Sequence, residues 1–576
     1  MLTTTRWVAS VAARSALFVA LGVAPSKASA GTMVVNTGAM TSAKDGKCSL
    51  VEALQALNTK ATVNECSPGS GPVIITLPTN VGVLTISTGL KNIGITQPVT
   101  LQSAVANTKV TIRVDPAAFT SEAILINPTN NNTTVTLQDL TIDGTNAEVW
   151  SGIYGMGGGS GNKIVLNRCE VEFWKSGGID VNGYTLNIDQ SYIHDNGANN
   201  LGGVDVSDWP PNVGVFNISR STIFNNSAPV GGGIIYDGTG HSTIVNSSIL
   251  SNTASLGSAI ATTQASAVID ITASTIAWNT ATTSGAGQGP GTYNLTETLL
   301  ANNTVSTSSG DLPSAWDRNS PIANVSNSLI DSMTSYSSDG TSGQISVTKS
   351  SGINVRNVAP GTNILSDVSY GIPDLGGSSL NNVPMSFLIA GSPAIDVLPS
   401  STQATDQRGY PRGIGGHFDI GSFEYNPNAE AESMVPDGAP SHGAISHVSN
   451  VPGFTPASGE GIKFTPNTGL TTNANFVLRV PLILGAGEFI KISAQIGPAS
   501  GTYQVSVRKQ GDSIFTNVGQ LALYGQSPFA STVDLPIPSS VQIQGYSTVD
   551  VQFALIGKDR RSSNNFLYLD SATFHH

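Results

Sequence analysis

The chain alternates short apolar runs with polar bends, and the alternation repeats. From Leu137 to Ile330 an apolar residue is followed five positions later by an aliphatic one, eight times over: Leu137/Ile142, Leu166/Val171, Ile188/Ile193, Ile218/Ile223, Ile244/Ile249, Ile271/Ile276, Leu295/Leu300 and Val325/Ile330. Successive second anchors lie 29, 22, 30, 26, 27, 24 and 30 residues apart. A spacing in the twenties with variable length predicts a solenoid with loops of unequal size. The repeats are rich in Thr, Ser, Ile, Val and Asn, which suit strands and turns and not helices.

Two smaller patterns sharpen the register. Cys169, Ser191, Ser221, Ser247, Ser274, Thr298 and Ser328 stand two positions before the second anchors. Residues two apart on a strand share a face, so these form an inward ladder of small side chains. Asn196, Asn226, Asn252, Asn279 and Asn303 follow the second anchors by three. Asparagines stacked at a bend can hydrogen-bond from coil to coil and tolerate left-handed backbone. The expected fold is all-β: a right-handed parallel β-helix, its coils about 4.8 Å apart, too thin singly to bury a core and so folding as one column.

The first thirty residues read as a secretory signal peptide, with Arg6 and Arg14 before the apolar run Ala16 to Ala24 and a small-residue cleavage site at Ala28-Ser29-Ala30. No other run approaches the ~20 apolar residues of a membrane span. The expected location is secreted, extracellular or cell-surface, with the periplasm open. After Gly31 comes an amphipathic segment, Asp45 to Asn58, that reads as a short helix, in which Ser49 is a candidate N-cap and Glu52 completes a capping box. Such a helix would plug the open end of the column, where bare strand edges invite aggregation. Cys48 and Cys66 flank it and are expected to form a disulfide in an exported protein. Cys169, in the inward ladder, is expected to stay a buried free thiol.

Cys48-Ser49-Leu50-Val51-Glu52-Ala53 resembles the Cys-Ser-Leu-Arg-Glu-Ala motif of a group of exported bacterial β-helix proteins, with Val51 in place of arginine. Gly391 to Asp396, Asp406 to Gly409 and Asp419 to Glu424 are similar to the choice-of-anchor Q segment. The resemblance implies a β-helix over residues 31–428 whose C-terminal end that segment closes. Asp396, Asp406, Arg408, Arg412, Asp419 and Glu424 then read as a salt-bridge network. The resemblance implies no particular activity. Thr304 to Asn382 reads as irregular coils and loops.

Residues 429–576 change character, with alternating strands such as Phe476 to Val480 and Tyr503 to Arg508. They predict a separate β-sandwich. It resembles the jelly-roll carbohydrate-binding modules of secreted glycoside-active enzymes, in which acidic residues near both termini hold structural calcium. By position those are Glu430, Glu432 and Asp570, and carboxylate oxygens suit Ca²⁺. No organic cofactor is expected. Tyr503, Tyr524, Phe529, Tyr546 and Phe566 are the aromatics available for sugar stacking or core.

Of the 576 residues only 11% are charged, and the net charge is −12 with Lys and Arg scattered. That disfavours nucleic acid as a partner and leaves polysaccharide or cell-surface glycan. Gly177-Gly178-Ile179-Asp180-Val181 and Gly202-Gly203-Val204-Asp205-Val206 align, turning Asp180 and Asp205 outward on neighbouring coils. Asp208, Asp237, Trp209 and Tyr154 lie along the same coil faces, and Lys175 is nearby. Carboxylates beside aromatics offer an acid or base and a stacking platform. A second outward set is Arg168, Glu170, Glu172, Tyr192, His194 and Arg220. Asp180, Asp205 and His194 are the candidate catalytic residues; Tyr154, Lys175, Asp208, Trp209 and Asp237 are the candidate substrate-binding residues. The leading expectation is a secreted polysaccharide-directed protein, a lyase or glycoside hydrolase with an appended glycan module. A non-catalytic adhesin or extracellular scaffold is the alternative class.

Overall fold

The computed structural model describes residues 31–425, with breaks of which the longest is 366–385, and, between 435 and 575, the strands and a few adjoining residues. The leader (residues 1–30), Glu430 and Glu432 lie outside the described residues. Asp570 falls within the strand Leu567–His575, but its side chain is not described. Among the described residues no helix is long and apolar enough to cross a membrane.

Strands of successive coils pair in parallel into three long sheets of 12, 11 and 8 strands, here sheets 1, 2 and 3. One coil shows the circuit. Lys163–Asn167 belongs to sheet 1, Glu170–Trp174 to sheet 2 and Ile179–Asn182 to sheet 3, and the chain returns to sheet 1 at Thr185–Asp189. The first anchors stack in register down sheet 1, from Leu137 on Leu166 to Leu295 on Val325. The second anchors do the same in sheet 2, from Ile142 on Val171 to Leu300 on Ile330. All of them are buried in one continuous core.

The parallel column is longer than the repeat suggests. Its coils begin with Val73–Leu77 and Val99–Ser103 in sheet 1, where Gly31–Val34 adds a parallel edge strand on Val73–Leu77, and they run on through Val347–Ser351 and Val355–Arg356. The earlier coils lack the pattern's small-residue position, as does the first coil that the anchors mark. Val110 and Leu140, paired in sheet 2, stand where later coils carry the ladder.

The ladders account for buried polar groups that a thin coil cannot satisfy internally. Each ladder hydroxyl accepts the backbone N–H of the coil before it: Ser191 from Cys169, Ser221 from Ser191, Ser247 from Ser221 and Ser274 from Ser247, at 3.0–3.2 Å. The asparagines bond side chain to side chain, Asn196–Asn226–Asn252–Asn279–Asn303, at 2.9–3.1 Å. The left-handed residue is not the ladder asparagine but the one before it: Asp195, Asn225, Ser251, Trp278 and Asn302 all have φ between 50° and 61°. A second left-handed bend falls between the anchors, at Arg168, Gln190, Arg220, Asn246, Ala273 and Glu297.

The helix Leu50–Thr59 carries both halves of the capping box at Ser49 and Glu52, and its apolar face joins the core. Cys48 and Cys66 are bonded, with Cα atoms 5.2 Å apart, and Cys169 is free and buried. Burial pushes the Cys169 thiol up to about 12, which keeps it inert.

The segment expected to close the column instead lies along its side. Residues 386–425 cover an outward apolar stripe on sheet 2, where Tyr192, Phe224, Leu250, Ala277, Leu299 and Leu329 pack against Leu388, Ala394, Leu398, Ile420 and Phe423. The Gln407 amide anchors this strap by donating to Ser221 O (3.1 Å) and Thr222 Oγ1 (2.8 Å). The strap's charged residues are structural. Arg408 pairs with Asp406 at 2.5 Å, Arg412 donates to Gly421 O at 2.6 Å, and Glu424 accepts from Gly413 N at 2.7 Å.

Residues 435–575 form two five-stranded antiparallel sheets around Phe464, Phe476, Tyr503 and Phe553. Phe476 and Phe553 stack with centroids 5.0 Å apart. Tyr503 is thus core and not a sugar platform; Tyr524, Phe529, Tyr546 and Phe566 lie outside the described residues.

The ladder gives a direct test. Asn252 accepts from the Asn226 backbone and side-chain amides and donates to Ile223 O and Asn279 Oδ1, all at 3.0 Å. Asn252→Ala strands several of these buried groups at ~1–3 kcal/mol each, so its thermal midpoint should fall by several degrees. Asn217→Ala, on the half-exposed outer face of sheet 1, should leave the midpoint near wild type. Equal midpoints for both variants would show that the buried ladder contributes nothing special.

Candidate functional site

The turn into sheet 3 sets the site. Gly178 lies over Gly203, and Gly203 over Gly233, so closely that a Cβ on either would sit 2.7–2.8 Å from the carbonyl oxygen beyond. Only glycine permits this approach. Ile179 N then donates to Gly203 O at 3.0 Å, locking the register of the strands that follow. Ile179 and Val181 point inward, and Asp180 and Asn182 outward. Asp180 pairs with Asp205, and Tyr154 with Asp180 one coil earlier. The outer face of sheet 3 therefore carries Tyr154, Asp180 and Asp205 as one row, with Asn182, Ser207 and Asp237 as the next.

The two carboxylates differ in their support. Asn182 Nδ2 donates to Asp180 Oδ1 at 3.0 Å, and the Ser207 hydroxyl donates to Asn182 Oδ1, which fixes the amide's orientation. Asp205 accepts no hydrogen bond among the described residues. Burial raises the Asp180 carboxyl to about 6, the Asn182 bond opposing it. Burial, then the charges of Asp180 and Asp237, raise Asp205 to about 8. Near neutral pH the row holds one ionised and one protonated carboxyl, the division of labour an acid–base pair needs. Burial and the nearby Asp180 also raise the Tyr154 phenol, keeping it a donor.

Trp209 follows the strand Val204–Ser207 and is 45% exposed. Its indole lies over the Gly157 turn two coils earlier, and its Cβ over the Gly183 turn one coil earlier. A Cβ at Gly157 would lie 2.8 Å from its Nε1, and one at Gly183 2.8 Å from its Cβ. It forms an exposed flat ledge at the ends of the strands that carry the carboxylates.

Other expected residues take different roles. Asp208 accepts from Gly214 N (2.8 Å) and Thr239 Oγ1 (2.7 Å), and Asp237 from Gln264 Nε2 (2.7 Å) and Thr263 Oγ1, so both staple neighbouring coils. Lys175 is half-buried in the turn after Glu170–Trp174. Arg168 and Arg220 are tied to Asp139 and Asp189. His194 does not join the aspartates: it lies on sheet 2, they on sheet 3, and outward residues of different sheets face different directions. It is also buried, not solvated, stacked on Tyr192 with ring centroids 3.6 Å apart.

Asn182 and Ser207 were not foreseen. Each stands two positions after an aspartate, so strand alternation places it on the same face; only the hydrogen-bond chain reveals what it does.

No protein-family profile and no curated protein matches the chain. Among solved structures, a carbohydrate-binding module, TmCBM61, determined with β-1,4-galactotriose, is 12% identical at a TM-score of 0.18, covering 26% of this chain and 95% of that one. The K2 cleaved adhesin domain of Lys-gingipain is 17% identical at 0.19, covering 26% and 98%. The enzymatically active domain of bacteriophage CBA120 tailspike protein 4 is 11% identical at 0.26, covering 87% of this chain and 64% of that one. At these scores the likenesses carry no argument, and the architecture rests on the strand pairing itself.

The raised carboxyls bind protons more tightly in the folded chain than the ordinary 3.8 of the unfolded one. Their contribution to stability is thus complete below about pH 4 and is lost as pH rises through about 6 and 8. Asp180→Asn/Asp205→Asn should flatten the fall of thermal midpoint between pH 5 and 9. A slope identical to wild type would show that neither carboxyl is perturbed.

Proposed function

We propose that this is an exported, polysaccharide-directed protein that cleaves glycosidic bonds on the outer face of sheet 3. The observation that carries the reading is the Asp180–Asp205 pair in register, one member hydrogen-bonded and the other not. Neighbouring strands lie ~4.8 Å apart, near the ~5–5.5 Å carboxyl separation of retaining glycosidases. Asp205, protonated, gives its proton to the glycosidic oxygen as that C–O bond breaks. Asp180, ionised, forms a bond to the anomeric carbon. Asp205, now a carboxylate, takes a proton from the water that releases the sugar and restores Asp180. Trp209 supplies a stacking face for a sugar ring.

This assignment makes the pH profile diagnostic. Turnover of a polysaccharide, measured as new reducing ends, should rise as Asp180 ionises near pH 6 and fall as Asp205 deprotonates near pH 8. Asp180→Asn or Asp205→Asn should each lower kcat at least ~10²-fold, and Trp209→Ala should act mainly on KM. A double aspartate variant that keeps full turnover ends the catalytic reading. A wild-type chain that binds glycans but cleaves none in a broad panel moves the adhesin or scaffold class to first place.

The signal-peptide pattern supports export. The acidic residues Glu430, Glu432 and Asp570 support a structural calcium in the sandwich, which would hold the glycan while the column acts on it. Chelation should lower the sandwich's melting transition in the wild type and not in Asp570→Asn; indifference of the wild type to chelator discards the calcium site.

A further inference from the structure

A second cluster of titratable groups lies on sheet 2, outside the proposed glycan site. Glu170 and Glu172 stand on one outward face of the strand Glu170–Trp174, and His194, on Tyr192–His194, is the register partner of Glu172. One ligand atom from each lies within 4.8 Å of the other two. His194 Nε2 is 3.1 Å from Glu170 Oε1 and 3.4 Å from Glu172 Oε2.

The imidazole is set in place from its other side. Its Nδ1 is 2.6 Å from Asp195 Oδ2, and Asn225 Nδ2 donates to Asp195 Oδ1. Tyr192 stacks on the ring, and Phe173 meets its edge at 5.8 Å. With the Nδ1–H given to Asp195, Nε2 turns toward two carboxylates. A carboxylate holding one imidazole nitrogen while the other faces outward is the usual support of a metal-ligating histidine.

A proton on Nε2 does not satisfy this arrangement. It bonds to Glu170 and leaves Glu172 with no hydrogen-bond donor among the described residues, although the Glu172 side chain is only 16% exposed. Glu170 has Lys109 at 2.9 Å and Thr141 at 3.2 Å on its other oxygen, and Asp143, the register partner of Glu172, is taken by Arg113 at 2.6 Å. With Asp143 and Arg113 matched, three carboxylates (Glu170, Glu172, Asp195) face one ammonium (Lys109). A divalent cation among them would offset this excess of negative charge.

We propose that Glu170, Glu172 and His194 bind a first-row divalent cation such as Zn²⁺. Bonds of ~2.0–2.1 Å in a tetrahedron place ligand atoms ~3.3–3.4 Å apart, close to the observed 3.1 and 3.4 Å. Three protein ligands leave a fourth position for water or a glycan hydroxyl. Both glutamates keep some exposure, at 21% and 16% of their side chains, so an ion has a path in.

The test titrates the chelator-stripped full chain with zinc chloride by calorimetry. Wild type should bind one equivalent tightly and gain thermal stability from it. Glu172→Gln preserves shape, removes one anionic ligand and should weaken that equivalent at least ~10-fold; Asp195→Asn, acting through the imidazole, should weaken it ~10–100-fold. Each variant is first compared with wild type by circular dichroism without zinc. Failure of the stripped wild type to take up zinc overturns the proposal. So does an unchanged affinity in Glu172→Gln, which would place the bound zinc elsewhere, such as at the adjacent histidines His575 and His576. If Glu172→Gln does not fold, Asp195→Asn decides, and unchanged zinc affinity there overturns the site. Turnover of polysaccharide is read separately, so loss of the sheet 3 reaction leaves this result standing.

Discussion

Coil-to-coil register is the constraint on which the rest of this protein depends. A coil of two or three short strands cannot bury an apolar face or pair its own backbone. Every backbone group in a strand must find its partner one coil away. That requirement puts Ile on Ile, Ser on Ser and Asn on Asn, and each coincidence makes a one-residue slip costlier, because a slip turns every core side chain outward. Loops between strands are free of it, so coils of 22 and 30 residues stack without disturbing the anchors.

The same constraint creates the chemistry. Register that stacks asparagine on asparagine in the core also stacks Asp180 on Asp205 outside it. On an open surface two such charges would repel by ~1 kcal/mol at 4 Å, and partial burial makes the repulsion larger. The protein resolves it unevenly. The Ser207–Asn182 relay supports one carboxylate, and the other keeps its proton. On sheet 2 register brings Glu172 against His194, with like charges around the pair. In both places repetition crowds ionisable groups that a less regular fold would separate.

The outer faces of the three sheets have diverged. Sheet 1 carries a hydrogen-bonded polar ladder, in which Asn217 donates to Asn187 and receives from Thr243. Sheet 2 carries an apolar stripe that solvent would not tolerate, and the strap of residues 386–425 covers it. Arginines in the strap bond the strap's own backbone carbonyls and carboxylates and so hold its shape, and Arg412 also reaches Asn246 of the column. Sheet 3 leaves its carboxylates half-buried and Trp209 exposed past the ends of the same strands.

Periodicity alone determined the regular coils from Leu137 to Ile330, their anchors and both small-residue ladders, because a stacked repeat writes its contacts into a linear spacing. The capping box and the Cys48–Cys66 pair were legible for a similar reason: their partners are near in sequence. Local alternation also placed Asp180 and Asp205 outward. Only the tertiary structure decided which outward residues meet solvent. Tyr192 reads as surface until a segment some 200 residues later covers that stripe, and no local pattern announces a cover supplied from so far along the chain. Tertiary structure likewise separated His194 from the aspartates. Alternation tells inside from outside, but which of three outer faces a residue occupies depends on where each coil bends, and those bends sit at left-handed residues as unlike as Arg168, Phe173 and Trp278.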